Sequence, residues 1–448
     1  MLNPSFIELL KGQLGEQGAT ELINNLDSDS PTSIRINPAK ISNINTLDNL
    51  SFEPSDNVIS KYGYQLTTRG NFTLDPLFHS GCYYVQEASS MAVELALPYI
   101  TEHLGNQKIA ALDLCAAPGG KSTHLLSMLS SFPSSFLVSN EVINTRASIL
   151  AENIEKWGAA NIVVSNNDPK DFKNLSDFFN FIIVDAPCSG EGMFRKDPKT
   201  RTEWSIESVE LCAARQKRIV ADIWPSLVDG GLMIYSTCTF NRFENSDNVE
   251  WIASELGAEI LMQRQFYPKE GQAGEGFFFA LLKKNGEYCP KNNKTLNNFK
   301  TKLTLFKVNK SWLKGDFNYY LKGDLLKAYP SEVCQQILFV ESKLKAIRSG
   351  TAIAKLKGKD LLIPEHSLSL SQNLDYSAFE NVDLNLETAI QYLQKEPLSS
   401  FALKDAPLGY ILLTYKNIPL GFVKNIGSRT NSLFPSSWRI KSNSLSQS

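Results

Sequence analysis

The sequence predicts an α/β fold built on an open, doubly wound parallel sheet, and three observations between residues 108 and 284 carry this prediction. Short apolar runs alternate with longer amphipathic segments, which is typical of α/β domains. Several of these runs are rich in β-branched residues, as expected for strands that are buried on both faces. The first run leads into the glycine turn Cys115-Ala-Ala-Pro-Gly-Gly-Lys121. We therefore expect ligands at the carboxyl ends of the strands.

Five strands and two long helices are predicted in this region. The strands are Ile109–Leu114, Ser135–Ser139, Asn161–Ser165, Phe181–Val184 and Leu232–Tyr235. The helices are Thr145–Trp157 and Ile206–Leu227, with Gly158 and Gly230-Gly231 as the glycines that end them.

Four domains are predicted along the chain. In order, they are an N-terminal α+β lead-in domain, the sheet domain, a basic module and a small β-rich domain, with bounds 1–105, 106–284, 285–365 and 366–442. The first contains a strand at Ser33–Pro38 and a strand leading into a helix at Tyr83–Leu97. The last contains a hairpin made by Leu408–Tyr415 and Gly421–Lys424.

Composition excludes several classes of protein. Hydrophobic residues make up 42% of the 448 residues and charged residues 21%, which is typical of a globular protein. No apolar run approaches the length of a membrane span, and the N-terminus does not resemble a signal peptide. The seven cysteines lack the spacing of a disulfide scaffold, which favours free thiols in a reducing cytoplasm. No Cys-x-x-Cys occurs and the four histidines are far apart, so no metal is expected.

Charge is distributed unevenly along the chain. The net charge is −2, but residues 285–448 carry 22 basic and 13 acidic residues. Within them, residues 291–359 carry 15 basic and 4 acidic residues. A basic part attached to an acidic one indicates a module that binds a polyanion such as nucleic acid. A lysine-rich face that is merely solvated explains the charge equally well.

Acidic residues follow three successive strands of the predicted sheet, namely Glu141, Asp168 and Asp185. A carboxylate after the second strand is the expected acceptor for the ribose hydroxyls of a nucleoside cofactor. Any one of these acids is more often a helix cap or a turn residue, but three at one sheet edge favour a ligand site. The glycine turn belongs to the same site, and ATP is disfavoured because Cys115 replaces the first glycine of a phosphate loop.

Two cysteines occur where strands end, Cys188 in Asp185-Ala-Pro-Cys and Cys238 in Ser236-Thr-Cys-Thr. A thiolate can add to carbon 6 of a pyrimidine and so make carbon 5 nucleophilic enough to accept a methyl group from a sulfonium donor. The carboxylate of Asp185 can accept a hydrogen bond from the exocyclic amine of cytosine. The alternative is that each cysteine is a small buried hydrophobe. These residues alone leave the two thiols interchangeable.

Several motifs together resemble the Sun-family RNA cytosine-5 methyltransferases. They are Cys115–Lys121, Asp185–Gly192, Tyr235–Thr239, Gly274–Ala280 and the lead-in segments Thr32–Pro38 and Gly81–Ser90. Glu275 stands where many family members carry Asp. The segments Pro419–Lys424 and Arg429–Arg439 are similar to the PUA-like C-terminal domain of the RsmF-type members, which methylate small-subunit ribosomal RNA.

The resemblance implies a Rossmann-like methyltransferase domain and a role for each candidate residue. Cys238 would be the nucleophile, Cys188 would assist release of the methylated base, and Asp185 would orient the cytosine. S-adenosylmethionine would be held by Asp185 with Cys115, Ala116, Ala117, Pro118, Gly119, Gly120, Lys121, Glu141 and Asp168. The N-terminal and basic parts would bind RNA, and the chain would act as a monomer in the cytoplasm.

Three alternatives to ribosomal RNA methylation remain open. Transfer RNA is the main rival substrate. A ribosome-assembly factor without activity could keep the same fold, although both motif cysteines are present here. A DNA cytosine methyltransferase would use the cysteine of the Pro-Cys pair and would not need Cys238.

Overall fold

The computed structural model describes the chain over residues 2–53, 59–105, 108–272, 274–288, 294–308, 311–358, 361–398 and 406–441. Four β-sheets organise these residues, and an eight-stranded sheet lies at the centre. None of the helices in the described ranges combines the length and the hydropathy that a membrane span requires.

The N-terminal unit packs a long helix and a small antiparallel sheet beside the central domain. Its elements are α1 (Pro4–Leu26), β1 (Ser33–Ile36), β2 (Phe52–Glu53), β3 (Gly63–Leu66), α2 (Pro76–His79), β4 (Tyr83–Val85) and α3 (Leu97–Leu104). The strands lie in the order β2-β3-β1-β4. Phe6 and Leu10 of α1 are buried in one cluster with Trp204 and Phe240 of the central domain, so α1 supports the loop that follows Cys238.

The central domain contains the five predicted parallel strands with helices on both faces. Its strands are β5 (Ala110–Asp113), β6 (Phe136–Asn140), β7 (Ile162–Ser165), β8 (Phe179–Asp185), β9 (Leu227–Thr237), β10 (Ala258–Phe266) and β11 (Phe277–Lys284). Its helices are α4 (Gly120–Leu129), α5 (Asn144–Trp157), α6 (Thr200–Glu203), α7 (Ile206–Ile223) and α8 (Ser246–Leu256). Strands β9-β8-β5-β6-β7 are parallel, while β11 and β10 extend the sheet antiparallel beyond β9. The doubly wound α/β prediction is confirmed, with antiparallel additions.

Alternating side chains of the strands enter two separate cores. Leu112 and Val138 belong to the core that contains Ile223 of α7, whereas Ala111 and Leu137 belong to the core of α4 and α5. Both faces of the sheet are therefore covered, which leaves its carboxyl edge as the place for a ligand.

The predicted helix Ile206–Leu227 is wrong at its C-terminal end. The helix ends at Ile223, Trp224–Ser226 forms a 3₁₀ turn that contains Pro225, and Leu227 already begins β9. The glycines at 230 and 231 therefore lie inside a strand. At Gly230 the backbone has φ of 71°, and an added Cβ would lie 2.2 Å from the backbone nitrogen of Tyr288. Close backbone approach, and not helix termination, explains this glycine.

The C-terminal part builds two further sheets. Its elements are α9 (Lys294–Asn297), β12 (Thr304–Leu305), β13 (Phe317–Lys322), β14 (Leu325–Pro330), α10 (Cys334–Lys343), β15 (Ala346–Ser349), β16 (Thr351–Lys357), β17 (Leu361–Pro364), α11 (His366–Leu370), β18 (Glu380–Leu384), α12 (Leu386–Leu393), β19 (Gly409–Tyr415), β20 (Ile418–Asn425) and β21 (Thr430–Ser432). The orders are β12-β13-β14-β16-β17 and β18-β19-β20-β21. The hairpin expected near the C-terminus is β19–β20, joined by Lys416 and Asn417, which both have positive φ as a type I′ turn requires.

One strand of the predicted basic module lies in the central sheet. β15 pairs antiparallel with β7, with Ser349 opposite Val163. The backbone groups on the outer edge of β7 need a hydrogen-bonding partner, and β15 supplies it. The sequence boundary at residue 285 thus does not separate independent sheets.

Candidate active site

A cavity of about 350 Å³ opens at the carboxyl ends of β5, β8 and β9, where the strand order reverses. The central domain and the N-terminal unit both contribute to its walls. Its lining includes Asp113, Cys115, Ala116, Ala117, Pro118, Gly120, Lys121, Asp185, Met193, Lys196, Cys238, Glu275 and Phe277, with Tyr84, Gln86, Glu87 and Ser90 opposite them.

The glycine turn forms one wall and is held from behind by α5. Gly119 has φ of 118°, a conformation that side chains disfavour, and α4 begins at the next residue. Asn153 donates a hydrogen bond to the carbonyl of Pro118, and Arg146 donates one to the carbonyl of Ala117, both at 2.9 Å. The turn is therefore fixed before any ligand binds.

Lys121 and Asp185 form an ion pair in the cavity wall. The distance from Lys121 Nζ to Asp185 Oδ2 is 2.9 Å, and Ser236 Oγ donates to Asp185 Oδ1 at 2.8 Å. Burial lowers the pKa of Lys121, but the charge of Asp185 and its hydrogen bond, together with Asp113 and Cys238, outweigh burial and leave this pKa above its ordinary value. Lys121 thus stays protonated, and Asp185 presents a fixed carboxylate to the cavity.

The structure brings the two predicted cysteines together. Their sulfur atoms lie 3.0 Å apart, within hydrogen-bonding distance. Cys238 lines the cavity, whereas Cys188 is not part of the lining. The hydrogen bond with Cys238, together with burial, holds the pKa of Cys188 well above its ordinary value. The thiols are close neighbours in unequal positions.

Sequence reasoning missed three buried polar residues that hold the two cysteine loops together. Glu191 and Glu244 are fully buried, and the amide of Asn241 donates to both, at 2.9 and 2.8 Å. Gly192 also donates its N–H to the carbonyl of Cys238 at 2.8 Å. Acids and amides in loops are usually solvated, so no local pattern in the sequence marks these three residues as buried.

Glu141 and Asp168 do not line this cavity. Glu141 follows β6 and is buried; its Oε1 accepts the N–H of Ile143 at 2.9 Å, and its Oε2 lies 3.7 Å from Arg146. Asp168 caps a 3₁₀ helix that begins at Pro169, accepting the N–H of Lys170. For Asp168 the structure therefore displays the helix-capping role that was the alternative to cofactor binding.

Glu275 has a structural role that its position in the motif did not reveal. It forms a buried ion pair with Arg195, 2.7 Å from Nε to Oε2, and Ser30 of the N-terminal unit also donates to it. Its own N–H donates to Glu87 at 2.8 Å. These contacts join the segment before β11 to the N-terminal unit and close one side of the cavity.

Asp113 is a further carboxyl group in the cavity wall. It is fully buried, and its Oδ2 accepts a hydrogen bond from Ser122 at 2.6 Å. Burial raises the pKa of Asp113 to about 7. Its Oδ1 has no hydrogen-bond partner among the described residues. A buried oxygen without a partner, at the wall of a ligand cavity, is suited to receive a donor from that ligand.

Three family models match the chain, in the order of its domains. Residues 2–88 match the N-terminal domain of 16S rRNA methyltransferase RsmF, and residues 103–303 match 16S rRNA methyltransferase RsmB/F. Residues 379–440 match the methyltransferase RsmF PUA domain. The chain belongs to the RsmF-like branch of the Sun-family methyltransferases. The resemblance seen in the motifs is thereby confirmed, and the chain is a methyltransferase.

Proteins similar over most of this RsmF-like chain carry the name ribosomal RNA small subunit methyltransferase F. The Cronobacter sakazakii protein is 28% identical over an alignment of 387 residues, and the match covers 80% of this chain and 78% of that protein. The Shewanella piezotolerans protein is 26% identical over 473 residues, covering 97% and 96% of the two chains.

Two crystal structures from Pyrococcus horikoshii share the fold. NSun6, determined with SFG, is 19% identical with a TM-score of 0.54 and covers 64% of this chain and 99% of its own. A methyltransferase homologue is 24% identical with a TM-score of 0.51 and covers 63% of this chain and 100% of its own. The Rossmann-like prediction for the central domain is confirmed.

Proposed function

We propose that this enzyme methylates carbon 5 of a cytosine in small-subunit ribosomal RNA through a covalent adduct with Cys238. The observation that carries the proposal is the arrangement of the cavity wall: Cys238, with the sulfur of Cys188 at 3.0 Å, lines the same cavity as the Lys121–Asp185 pair. A noncatalytic RNA-binding protein would have no need for two adjacent thiols beside a fixed carboxylate.

The residues present fit S-adenosylmethionine as the methyl donor. The fixed glycine turn from Cys115 to Lys121 offers backbone to an approaching ligand, and the unpartnered Oδ1 of Asp113 can accept from a cationic amino group. Glu141 remains our candidate for binding the ribose hydroxyls. Asp168 is a weaker candidate for binding the cofactor, because its carboxylate already caps a helix. The Pyrococcus horikoshii NSun6 structure contains SFG, an analogue of this cofactor, on the same fold.

In the first half of the reaction, the thiolate of Cys238 donates an electron pair to carbon 6 of the cytosine and forms a carbon–sulfur bond. Asp185, held by Lys121 and Ser236, accepts a hydrogen bond from the exocyclic amine and so orients the ring. Carbon 5 then carries the negative charge. Bound S-adenosylmethionine would supply the methyl group, which carbon 5 accepts as the methyl–sulfonium bond breaks.

Release of the product reverses the first step. The proton on carbon 5 passes to solvent, the double bond between carbons 5 and 6 re-forms, and the sulfur of Cys238 leaves with the electron pair of its bond to carbon 6. The Cys188 thiol lies 3.0 Å from that sulfur and donates a hydrogen bond to it as charge develops. Cys188 thus promotes release without bonding to the base.

Recognition of ribosomal RNA is proposed from the relatives and from the C-terminal part. The curated relatives named above are bacterial ribosomal RNA methyltransferases, and the match to the RsmF PUA domain covers residues 379–440. Exposed lysines of the basic module would contact RNA phosphates. We assign the reaction to the cytoplasm and to the monomeric chain. Transfer RNA remains the second candidate substrate.

The test is transfer of labelled methyl groups from S-adenosylmethionine to purified RNA, followed by digestion to nucleosides. The proposal expects label in 5-methylcytidine from 16S ribosomal RNA or the 30S subunit, and background levels from transfer RNA and from DNA. Label in transfer RNA alone would mean that transfer RNA, and not ribosomal RNA, is the substrate. Label in a nucleoside other than 5-methylcytidine would overturn the chemistry.

A further inference from the structure

The thiol pair has charged groups of opposite sign on its two sides. On the cavity side, Lys121 lines the same wall as Cys238. On the far side, the buried carboxylate of Glu244 lies against the backbone that carries Cys188. The two thiols therefore have a cation on the Cys238 side and a carboxylate on the Cys188 side.

Contacts on both flanks of Cys188 hold Glu244 in place. Its Oε2 accepts the N–H of Ser189, the residue after Cys188, at 3.0 Å. The same oxygen accepts from Gln216 Nε2 at 2.7 Å, and Gln216 Nε2 also donates to the carbonyl of Pro187, the residue before Cys188. Glu244 and Gln216 thus clamp the loop from behind.

Glu244 is ionised despite its burial. Burial raises the pKa of Glu244, but every hydrogen bond that its carboxylate oxygens make is accepted from a donor, namely Ser189, Gln216 and Asn241. A protonated carboxyl would need an acceptor for its own proton. Glu244 therefore carries its negative charge to the Cys188 side.

We propose that Glu244 is a positioning residue that decides which of the two sulfurs is the nucleophile. Its charge keeps the proton on Cys188, so that Cys238, beside Lys121, is the thiol that ionises and donates to no neighbour. The proton retained on Cys188 is the one donated to the Cys238 sulfur across 3.0 Å. This inference extends the proposed function, in which the roles of the two thiols came from the family resemblance.

The charges around the two thiols shift the pKa of Cys188 and the pKa of Lys121 in the directions that this proposal requires. After the hydrogen bond to Cys238 and burial, the charges of Cys238 and Glu244 raise the pKa of Cys188. Burial lowers the pKa of Lys121, and Cys238 is one of the anionic partners that raise it.

Other titratable groups face the pair from neighbouring elements. Behind Cys188, Tyr235 and Cys212 are neutral because burial raises the pKa of each, and Glu191 lies beyond Asn241. On the cavity side, Asp185 is paired with Lys121, and Glu275 is paired with Arg195. Glu87 and Lys196 also line the cavity. Among these groups, Glu244 is the one whose carboxylate contacts the Cys188 loop directly.

The test measures the ionisation of each thiol in the full-length, RNA-free protein. The rate of alkylation by iodoacetamide is followed as a function of pH, and peptide mass spectrometry separates Cys188 from Cys238. In the wild type, we expect Cys238 to gain reactivity at lower pH than Cys188. In Glu244→Gln, which removes the charge but keeps the side-chain size, the relative thiolate population of Cys238 over Cys188 should fall about tenfold.

Two matched variants control for structural damage. Glu244→Asp keeps the charge and should keep the order of ionisation. Glu191→Gln removes the neighbouring buried carboxylate, which accepts hydrogen bonds from Trp204, Phe240 and Asn241 and not from the backbone beside Cys188. This variant should change the ratio less than Glu244→Gln does.

Two results would overturn the inference. One is an unchanged ratio in a Glu244→Gln protein that melts with the wild type, and the other is a wild-type Cys188 that ionises before Cys238. The second needs no variant, so the idea can fail even if Glu244→Gln does not fold. Alkylation requires neither RNA nor cofactor, so a chain that shifts its thiol ionisation but methylates no cytosine would contradict the proposed function alone.

Discussion

Charge is arranged in opposite ways in the cavity and in the basic C-terminal module. Around the cavity, Lys121 pairs with Asp185 and Arg195 pairs with Glu275, each within 3 Å and largely buried. In the module, many lysines face solvent, including Lys300, Lys302, Lys307, Lys314, Lys343 and Lys357. A buried pair is held in one geometry and is weakly screened by salt, whereas exposed charges act at longer range and are screened strongly. We infer that the cavity sets the chemistry and that the module sets the affinity for RNA.

The largest expected effect is at the cavity thiol. Replacing Cys238 with Ser should lower the rate of methyl transfer at least about 1000-fold, because a hydroxyl is a much weaker nucleophile than a thiolate. Salt should not restore the lost activity. Cys212→Ser is the control, since Cys212 is a partly buried free cysteine on α7 and should keep wild-type turnover. Equal losses in both variants would remove the special role of Cys238.

A smaller loss is expected at the ion pair. Asp185→Asn removes the charge that holds Lys121 and orients the base, and kcat should fall about 100-fold. Single-turnover methyl transfer at saturating RNA measures this change. A variant with normal kcat and a raised KM would mean that Asp185 only binds substrate.

Substitutions in the basic module should change the affinity for RNA and not the rate of the chemical step. Lys302→Glu combined with Lys307→Glu should raise KM for RNA about tenfold at low salt, leave kcat unchanged, and flatten the dependence of affinity on salt. The matched control reverses two exposed lysines of the central domain, Lys170→Glu with Lys173→Glu. If the control weakens RNA binding as much as the test pair, the module has no particular role and its lysines are only solvated.

The smallest effect concerns stability and pH. Because the pKa of Asp113 is raised to about 7 in the folded chain, the stability it confers is present at low pH and is lost as pH rises through 7. Between pH 6 and pH 8 the free energy of unfolding should fall by about 1 kcal/mol more in the wild type than in Asp113→Asn. Chemical denaturation of the ligand-free protein measures this difference, with the exposed Asp316→Asn as control. Parallel pH profiles for wild type and Asp113→Asn would show that Asp113 does not titrate in this range.

Local patterns in the sequence predicted the central sheet and the glycine turn well. The strand Ile162–Ser165 and the helix Asn144–Trp157 lie within one residue of their predicted bounds, because burial and periodicity are local properties. The pairing of β15 with β7 was not predictable, because the sequence of Ala346–Ser349 does not indicate which strand it pairs with. The end of α7 was misplaced because Leu227 continues the apolar pattern after the turn at Pro225.

The candidate site residues also fall into two groups: those that local motifs predicted and those that long-range contacts define. Cys188, Cys238, Asp185 and Lys121 occur in compact motifs, and the fold brings them together. Glu244 depends on contacts with Ser189 and Gln216, which are 55 and 28 residues away in the chain, so no local pattern identifies it. Long-range hydrogen bonds of this kind become visible only once the loops are placed in space.

The most direct test of the central claim, that Cys238 attacks and Cys188 releases, uses Cys188→Ala with labelled 16S ribosomal RNA and S-adenosylmethionine. Denaturing gels should reveal a protein–RNA adduct that accumulates in Cys188→Ala and is absent when Cys238 is also replaced. Lack of any denaturation-resistant adduct in an active Cys188→Ala protein, or persistence of the adduct in the double variant, would contradict the account.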